Sequence, residues 1–274
     1  MYLRPLSTIM LAATILSLPL SDGSLAAPFA PIALAGTASA PSSMEQAINM
    51  AGRQRMLSQR IVKAYSQLQM SLVPVRSRKE LTDATALFES QSQSLQRYVG
   101  DEKIRKALAI VDVIWWDFKK LISVKNSQAD PRDLYYLSED LLYASDKVVQ
   151  LLQDKSENQL GRLVNISGRQ RMLSQRLAKL YLLQDEGLDS TSVRAALEDA
   201  QHDFSHALEL LRVAPANTDE IKVELDKVIL QWAWFQNVLQ QEKTGDYQLI
   251  VVDASEEILR LMENITGLYS SLGQ

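Results

Sequence analysis

The chain contains one segment twice, and this duplication constrains its fold more than any other feature of the sequence. Residues 48–65 (INMAGRQRMLSQRIVKAY) and 164–181 (VNISGRQRMLSQRLAKLY) are identical at twelve of eighteen positions, at an offset of 116 residues. Without a gap, the same offset aligns Phe88 with Phe204, Leu95 with Leu211 and Trp116 with Trp232. Such regular self-similarity indicates two related domains within one chain.

Apolar residues recur at helical spacing throughout both repeats. In the first segment this stripe consists of Met50, Leu57, Ile61, Ala64 and Leu68, and no alternating strand pattern competes with it. Helix breakers Pro74 and Gly187 end the duplicated segments. Further helices are predicted at about 78–99, 101–125, 131–156, 190–212, 217–243 and 246–272.

These helices predict an all-α protein of two tandem up-and-down four-helix bundles. The first repeat spans 44–156 and the second 157–274. The junction allows two interpretations, because the last helix of the first repeat can continue into the second or turn at Gly161. The four tryptophans, Trp115, Trp116, Trp232 and Trp234, lie mid-helix among aliphatic residues and are predicted to be core.

The first 43 residues have the features of an export sequence. Arg4 precedes an uncharged run from Leu6 to Leu18, and small residues follow. This pattern predicts a signal peptide at 1–26, and a flexible Ala-, Pro- and Ser-rich leader at 27–43. A retained membrane anchor is the alternative, although the run is short for a bilayer span. We therefore expect a periplasmic or secreted protein.

Composition excludes several classes of function. The chain has no cysteine and only two histidines, and its 29 basic and 33 acidic residues give a net charge of -4. Thiolate chemistry is excluded, and a surplus of Lys and Arg for nucleic-acid binding is absent. His202 and His206 have i, i+4 spacing but are expected on the solvent face, so no metal site is predicted. We expect no enzyme activity and no cofactor.

Basic residues are concentrated on the two duplicated helices. Between Gln46 and Lys79 there are seven Lys or Arg and no acidic residue, so other helices or a bound anion must supply the neutralising charge. Helical geometry places Arg53 and Arg60 at the edge of the apolar stripe. Arg55 lies nearly opposite the stripe, on a face of small or apolar residues, and Arg171 occupies the matching position.

This face predicts a close contact between the two duplicated helices. If they pack together, Arg55 and Arg171 meet, and a small oxyanion between them would relieve their repulsion, since the guanidinium fork suits planar oxyanions. The predicted ligand-binding residues are the clamps Arg55 and Arg171, the small Gly52 and Gly168, and the polar helpers Ser58, Ser174, Gln59 and Gln175. The alternative is that the arginines form ion pairs with acids on the other helices. That alternative is favoured for Arg53, Arg60, Arg169 and Arg176.

The duplicated motif N-x-x-G-R-Q-R-M-L-S-Q-R, at 49–60 and 165–176, resembles the PilJ-type, or NarX-like, periplasmic sensor domain. That family includes nitrate/nitrite sensor kinases and type IV pilus chemotaxis transducers. The resemblance implies a four-helix bundle that binds nitrate at a dimer seam, through the arginine that matches Arg55 and Arg171. This chain departs from the sensor-kinase pattern at Arg53, Gln54, Leu57 and Gln59, and has no segment resembling a kinase or signalling stem.

We therefore expect an exported sensory module that binds nitrate or nitrite and signals through a membrane sensor kinase or chemoreceptor. The alternative is a non-sensing adaptor that docks on a pilus, chemoreceptor or sensor-kinase component. Two arrangements of the repeats would bring two such arginines together. The repeats can face each other within one chain as a pseudo-dimer, or stack end to end with two chains forming a homodimer.

Overall fold

Eight α-helices make up the part of the chain that the structure describes. This computed structural model describes residues 39–123, 129–156, 159–241 and 245–272. The helices are α1 Met44–Gln69, α2 Pro74–Tyr98, α3 Glu102–Leu121, α4 Pro131–Ser156, α5 Gln159–Asp185, α6 Thr191–Arg212, α7 Asp219–Leu239 and α8 Gly245–Ser271. The predicted all-α fold of two tandem bundles is confirmed. The predicted signal peptide, and the leader up to residue 38, lie outside the described residues.

Local side chains explain where several helices begin. Ser43, Asp101, Ser190 and Thr218 each accept a hydrogen bond from a backbone N–H of the following first turn, which satisfies groups that have no partner within the helix. Pro74 does not end the first helix as predicted. Instead α1 ends at Gln69 and Pro74 is the first residue of α2, a position that suits its missing N–H.

Gly187 was expected to end the second duplicated helix, and a turn at Gly161 was one of the two interpretations of the junction. Gly187 lies just after α5 with φ of 95°, a left-handed conformation that glycine adopts readily. Gly161 lies inside α5, so the chain does not turn there. Helices α4 and α5 are antiparallel, because Asn165 contacts Gln153 whereas Arg176 contacts Glu139. A single helix running through the junction is therefore wrong.

Each repeat forms its own helical bundle. In the first repeat α1 packs against α2 and α4, and α3 packs mainly against α4. The second repeat has the same pattern, with α5 against α6 and α8, and α7 against α8. The contact between the second and third helix of each repeat is slight. The first helix of each repeat is therefore the most enclosed.

The two repeats lie side by side, joined along α1 and α5. These helices make the most extensive helix–helix contact of the described residues. They run parallel, since Arg55 contacts Asn165 in their first halves and Ser66 contacts Glu186 at their ends. The end-to-end arrangement of the repeats is wrong. The intrachain pseudo-dimer is the arrangement that this structure contains.

The tryptophans show that the repeat offset changes by one residue after the second helix. Trp115 stacks on Phe88 and Trp232 stacks on Phe204, each at 4.1 Å between ring centroids. Trp232 is therefore the structural equivalent of Trp115, and its sequence alignment with Trp116 was wrong. Trp116 and Trp234 are 62% and 45% exposed, so the prediction that all four tryptophans are core is wrong for these two.

None of the helices in the described ranges is long and apolar enough to cross a lipid bilayer.

Candidate functional site

The contact between α1 and α5 is lined by the small-residue faces of the two helices. Gly52 and Gly168 lie in this contact, beside the side chains of Arg55 and Arg171. The seam, as we call this contact, is buried throughout. The other residues of the same helix faces are also buried, on α1 Ile48, Ala51, Arg55, Ser58, Gln59 and Val62, and on α5 Val164, Ser167, Arg171, Ser174, Gln175 and Ala178.

Arg55 and Arg171 meet at this seam, as the sequence predicts. A Cβ on Gly52 would lie 3.3 Å from Nη2 of Arg55 and 3.5 Å from Nη2 of Arg171. A Cβ on Gly168 would lie 3.1 Å from Nη2 of Arg171 and 3.6 Å from Nη2 of Arg55. Both guanidinium groups thus occupy the space that the missing side chains leave, so the two glycines create room for the arginine pair.

Each arginine also holds a carboxylate from the fourth helix of its own repeat. Arg55 Nη1 donates to Asp146 Oδ1 at 2.5 Å, and Arg171 Nη1 donates to Glu263 Oε2 at 2.5 Å. For these two residues the sequence favoured a bound anion as the source of this charge, and it favoured ion pairs for the other four arginines. Ion pairs are present at both positions, so carboxylates of the protein already supply neutralising charge there.

The second terminal nitrogen of each guanidinium group reaches across the seam to the other repeat. Arg55 Nη2 donates to the side-chain oxygen of Asn165 at 2.8 Å. Arg171 Nη2 donates to the backbone oxygen of Asn49 at 3.3 Å, and the side-chain oxygen of Asn49 is buried with no hydrogen-bond partner among the described residues. The two asparagines occupy the same place in the repeat, yet only Asn165 uses its side chain.

Positive charge exceeds negative charge around the paired arginines. Arg53 forms an ion pair with Glu263, which Arg171 also uses. Three guanidinium groups, those of Arg53, Arg55 and Arg171, therefore share the carboxylates of Asp146 and Glu263. This cluster of five residues, the seam cluster, is formally one unit positive when all of them are charged.

Burial and mutual repulsion disfavour the charged state of these arginines. Burial lowers the pKa of Arg171 well below its ordinary value, and the charges of Arg53 and Arg55 lower it further. Burial also lowers the pKa of Arg53 to about 10. For Arg55, the lowering of its pKa by burial outweighs the opposing effect of Asp146. An additional anion near Nη2 would relieve this repulsion.

The four predicted polar helpers donate hydrogen bonds to backbone oxygens of the helices. Ser58 and Ser174 donate their hydroxyl hydrogens to the backbone oxygens of Arg55 and Arg171. Gln59 and Gln175 donate to the backbone oxygens of Ser138 and Ser255, at 3.2 and 3.0 Å. The side-chain oxygens of both glutamines are buried with no partner among the described residues.

The other four arginines form the ion pairs that the sequence favoured, and some of these pairs join the two repeats. Arg169 holds Asp203 on the neighbouring helix of its own repeat. Arg60 pairs with Glu80 and with Glu256 of the second repeat, and Arg176 pairs with Glu139 of the first. Arg53, as described, holds Glu263 across the seam.

Two buried lysines were missed by the sequence reasoning. Lys63 and Lys179 are fully buried at equivalent positions, and each crosses to the other repeat, to Glu256 at 2.5 Å and to Glu139 at 2.7 Å. The sequence did contain a sign of their burial, because the same lysine occurs beside the apolar stripe in both copies of the repeat. Burial lowers the pKa of Lys179 to about 8, against the opposing charge of Glu139.

The two lysine sites differ in one carboxylate. Glu80 lies 2.9 Å from Lys63 and 3.0 Å from Arg60. Burial would raise the pKa of Glu80, but the charges of Lys63 and Arg60 outweigh burial and lower it to about 2. The equivalent position in the second repeat is Ala196, so Lys179 and Arg176 share Glu139 alone among the ion pairs described.

The histidine pair lies on the solvent face, as predicted. His202 and His206 are exposed on α6, with their rings parallel at 6.4 Å between centroids. Across the described residues, no group of three or more His, Cys, Asp or Glu side chains could hold a metal ion.

Comparison with known proteins supports the duplication. The family model PilJ, "Type IV pili methyl-accepting chemotaxis transducer N-term", matches the chain twice, at residues 37–139 and 154–254. The chain belongs to the PilJ family. Each PilJ match includes one of the two seam helices and its buried arginine. No curated protein and no solved structure matches the chain.

Proposed function

We propose that this chain is an exported, non-catalytic sensory module that binds a small oxyanion between Arg55 and Arg171. Nitrate or nitrite is the ligand we favour, and the signal passes to a membrane chemoreceptor or sensor kinase. The observation that carries the proposal is the meeting of two equivalent buried arginines over two glycines, at the centre of a pseudo-dimer. The family's description, a chemotaxis transducer domain, supports a sensory role.

The hydrogen bonds of the seam suggest how an anion would enter. In the structure the carboxylates of Asp146 and Glu263 neutralise the arginines. Each carboxylate therefore occupies a position beside a guanidinium group at which an oxyanion would bind. The side chain of Asp146 is 31% exposed and that of Glu263 is 21% exposed, whereas the arginines are buried. An oxyanion would therefore displace a carboxylate towards solvent, or bind beside Nη2 and share the surplus positive charge of the seam cluster.

The energy available is sufficient for a sensor. A hydrogen bond to a charged group contributes about 1.5–3 kcal/mol, so four such bonds give about 6–12 kcal/mol, a range that includes the roughly 8 kcal/mol that micromolar binding requires. Displacing a carboxylate costs part of this gain. We therefore expect affinity in the micromolar to millimolar range, suited to detecting a changing nutrient concentration.

Displacing a carboxylate would also link binding to helix position. Asp146 is on α4 and Glu263 is on α8, and both hold the seam helices from outside. Release of either contact would loosen the fourth helix of that repeat from the seam. A shift of α4 or α8 is thus the change that we propose a membrane partner detects.

Calorimetry with sodium nitrate, nitrite, sulfate and chloride tests the proposal. Arg55→Gln combined with Asp146→Asn removes one ion pair without leaving a charged partner unpaired. Arg194→Gln with Asp189→Asn is the matched control, because that pair is exposed and away from the seam. We expect one nitrate or nitrite per chain, and at least about a tenfold loss of affinity, equal to 1.4 kcal/mol, in the seam variant only. Negligible heat for all four anions would contradict the proposal.

One observation favours the second candidate, a non-sensing adaptor. Each seam arginine already has a carboxylate partner, so the folded state does not need a bound anion to be stable. An adaptor predicts that anions do not bind and that the seam only joins the two repeats. The same calorimetry separates the two functions.

A further inference from the structure

Most large apolar side chains that the structure exposes belong to three helices. On α3 they are Ile110, Val113 and Trp116, and on α7 they are Val223, Leu230 and Trp234. Tyr136 and Tyr143 are on α4, and Tyr136 lines a surface pocket with Asp117, Lys120 and Leu121 of α3. Exposed apolar residues gathered on one face, rather than scattered singly, indicate an interaction surface.

The α3 residues follow each other at intervals of three, and the α7 residues at intervals of seven and four. Both spacings place the residues on one side of a helix. Trp115 and Trp232, which point inward, fix the orientation of the two helices, because each stacks on a buried phenylalanine. The exposed stripes therefore face away from the bundle that each helix belongs to.

The two stripes occupy equivalent places in the repeats. Val113 and Leu230 are structural counterparts, since each lies two residues before the inward tryptophan of its helix. They are 66% and 74% exposed. Each repeat thus presents an apolar outer stripe on its third helix, away from the seam that joins the repeats.

The charges of the two helices are opposite. Helix α3 carries five basic and three acidic residues, a net charge of +2. Helix α7 carries two basic and four acidic residues, a net charge of -2. One positive charge of α3 lies next to its apolar stripe, because Lys120 Nζ lies over the exposed ring of Trp116, 2.7 Å from the ring centroid.

From this pattern we infer that the α3 face of one molecule binds the α7 face of a second copy of the same chain. Apolar side chains of similar size meet in such a contact, and a net positive helix faces a net negative one. Pairing α3 with α3, or α7 with α7, would bring like charges together, which disfavours a symmetric dimer.

A contact between two different faces leaves one face free on each partner. Such head-to-tail association continues into a chain of molecules, unless the geometry closes it into a ring. The modules would then form an array in which their seam sites lie in a regular row. This inference does not depend on the anion proposal, because it involves neither the seam nor its arginines.

Single charges introduced on each face test the inference. Val113→Asp disables the α3 face and Leu230→Asp disables the α7 face, and both sites are exposed, so the fold is retained. Val75→Asp is the control, because Val75 is 85% exposed but lies at the start of α2. Circular dichroism verifies the helical content of each variant, and sedimentation velocity measures mass.

For the wild type and Val75→Asp, we expect the average mass to rise with protein concentration and to fall with added salt. Val113→Asp and Leu230→Asp should each remain monomeric alone. Mixed in equal amounts, they should form dimers and nothing larger, since the mixture contains one intact α3 face and one intact α7 face per pair.

Three results would overturn the inference. A wild-type monomer at every concentration would show that these faces serve a different protein or none. Dimerisation of one variant alone would show a symmetric contact through its intact face. A mixture of the two variants that stays monomeric would show that the α3 and α7 faces do not bind each other.

Discussion

Lys63 in the first repeat lies 2.5 Å from a carboxylate oxygen of Glu256 in the second. The reciprocal contact joins Lys179 to Glu139 at 2.7 Å. Both lysines are fully buried and their carboxylate partners are 14% and 21% exposed, so the two repeats hold each other through charges that water screens only weakly. This exchange of carboxylates neutralises the basic seam helices and makes the two repeats one structural unit.

Removing one of these lysines should destabilise the whole molecule. In Lys63→Met the buried Glu80 and the partly buried Glu256 lose a cation, and breaking a buried pair in this way costs about 3–5 kcal/mol. Urea unfolding monitored by circular dichroism measures the change in the free energy of unfolding. The control Lys103→Met, on the exposed side of α3, should change it by less than about 0.5 kcal/mol. Equal effects of the two changes would contradict the account.

Acid should weaken the fold through Glu80. Its pKa is lowered to about 2 in the folded protein, so the unfolded chain binds a proton at higher pH than the native state does. The stabilisation from Glu80 is therefore complete above its ordinary pKa, near 4.5, and is lost as pH falls towards 2. The shift corresponds to about 3 kcal/mol. Unfolding free energies of wild type and Glu80→Gln, compared across this range, should converge at low pH. A constant difference would rule out this role for Glu80.

A carboxylate introduced at Ala196 should make the two lysine sites alike. Position 196 is the equivalent of Glu80, and the pKa of Lys179 is lowered to about 8. In Ala196→Glu a second negative charge near Lys179 and Arg176 should raise that pKa towards its ordinary value. Carbon-13 NMR of the lysine ε-methylene measures the titration. Ser192→Glu, one turn earlier on the exposed side of α6, is the control and should leave it unchanged.

Two glycine substitutions separate helix propensity from crowding at the seam. Nothing lies within 4 Å of a Cβ at Gly267, so Gly267→Ala should stabilise α8 by up to about 1 kcal/mol. At Gly168 the new methyl group would lie 3.1 Å from Arg171 Nη2. Gly168→Ala should therefore gain no stability and should weaken anion binding. Thermal unfolding and calorimetry check both variants, and an equal gain in stability at the two positions would show that the seam tolerates the methyl group.

The sequence predicted the fold and the centre of the seam because both depend on local periodicity and on the duplication. Helical spacing gave the helices to within a few residues, and the small-residue face identified Arg55 and Arg171 as a pair. Pro74 was misjudged because a proline that ends one helix and a proline that begins the next have the same appearance in a sequence.

The partners of the seam arginines and lysines could not be predicted. Asp146 and Glu263 lie more than 90 residues from the arginines that they bind, and sequence spacing contains no information about such contacts. The alignment of Trp116 with Trp232 failed for a related reason. One residue is added between the second and third helices of the second repeat, and only the packing of Trp115 and Trp232 on their phenylalanines reveals it.

A crystal structure of the protein grown in sodium nitrate is the most direct test of the central claim. We predict one planar anion per molecule, bonded to Nη2 of both Arg55 and Arg171, with Asp146 or Glu263 moved towards solvent. If both carboxylates keep their present ion pairs at saturating nitrate and no anion lies between the arginines, the seam joins the repeats but does not sense an oxyanion.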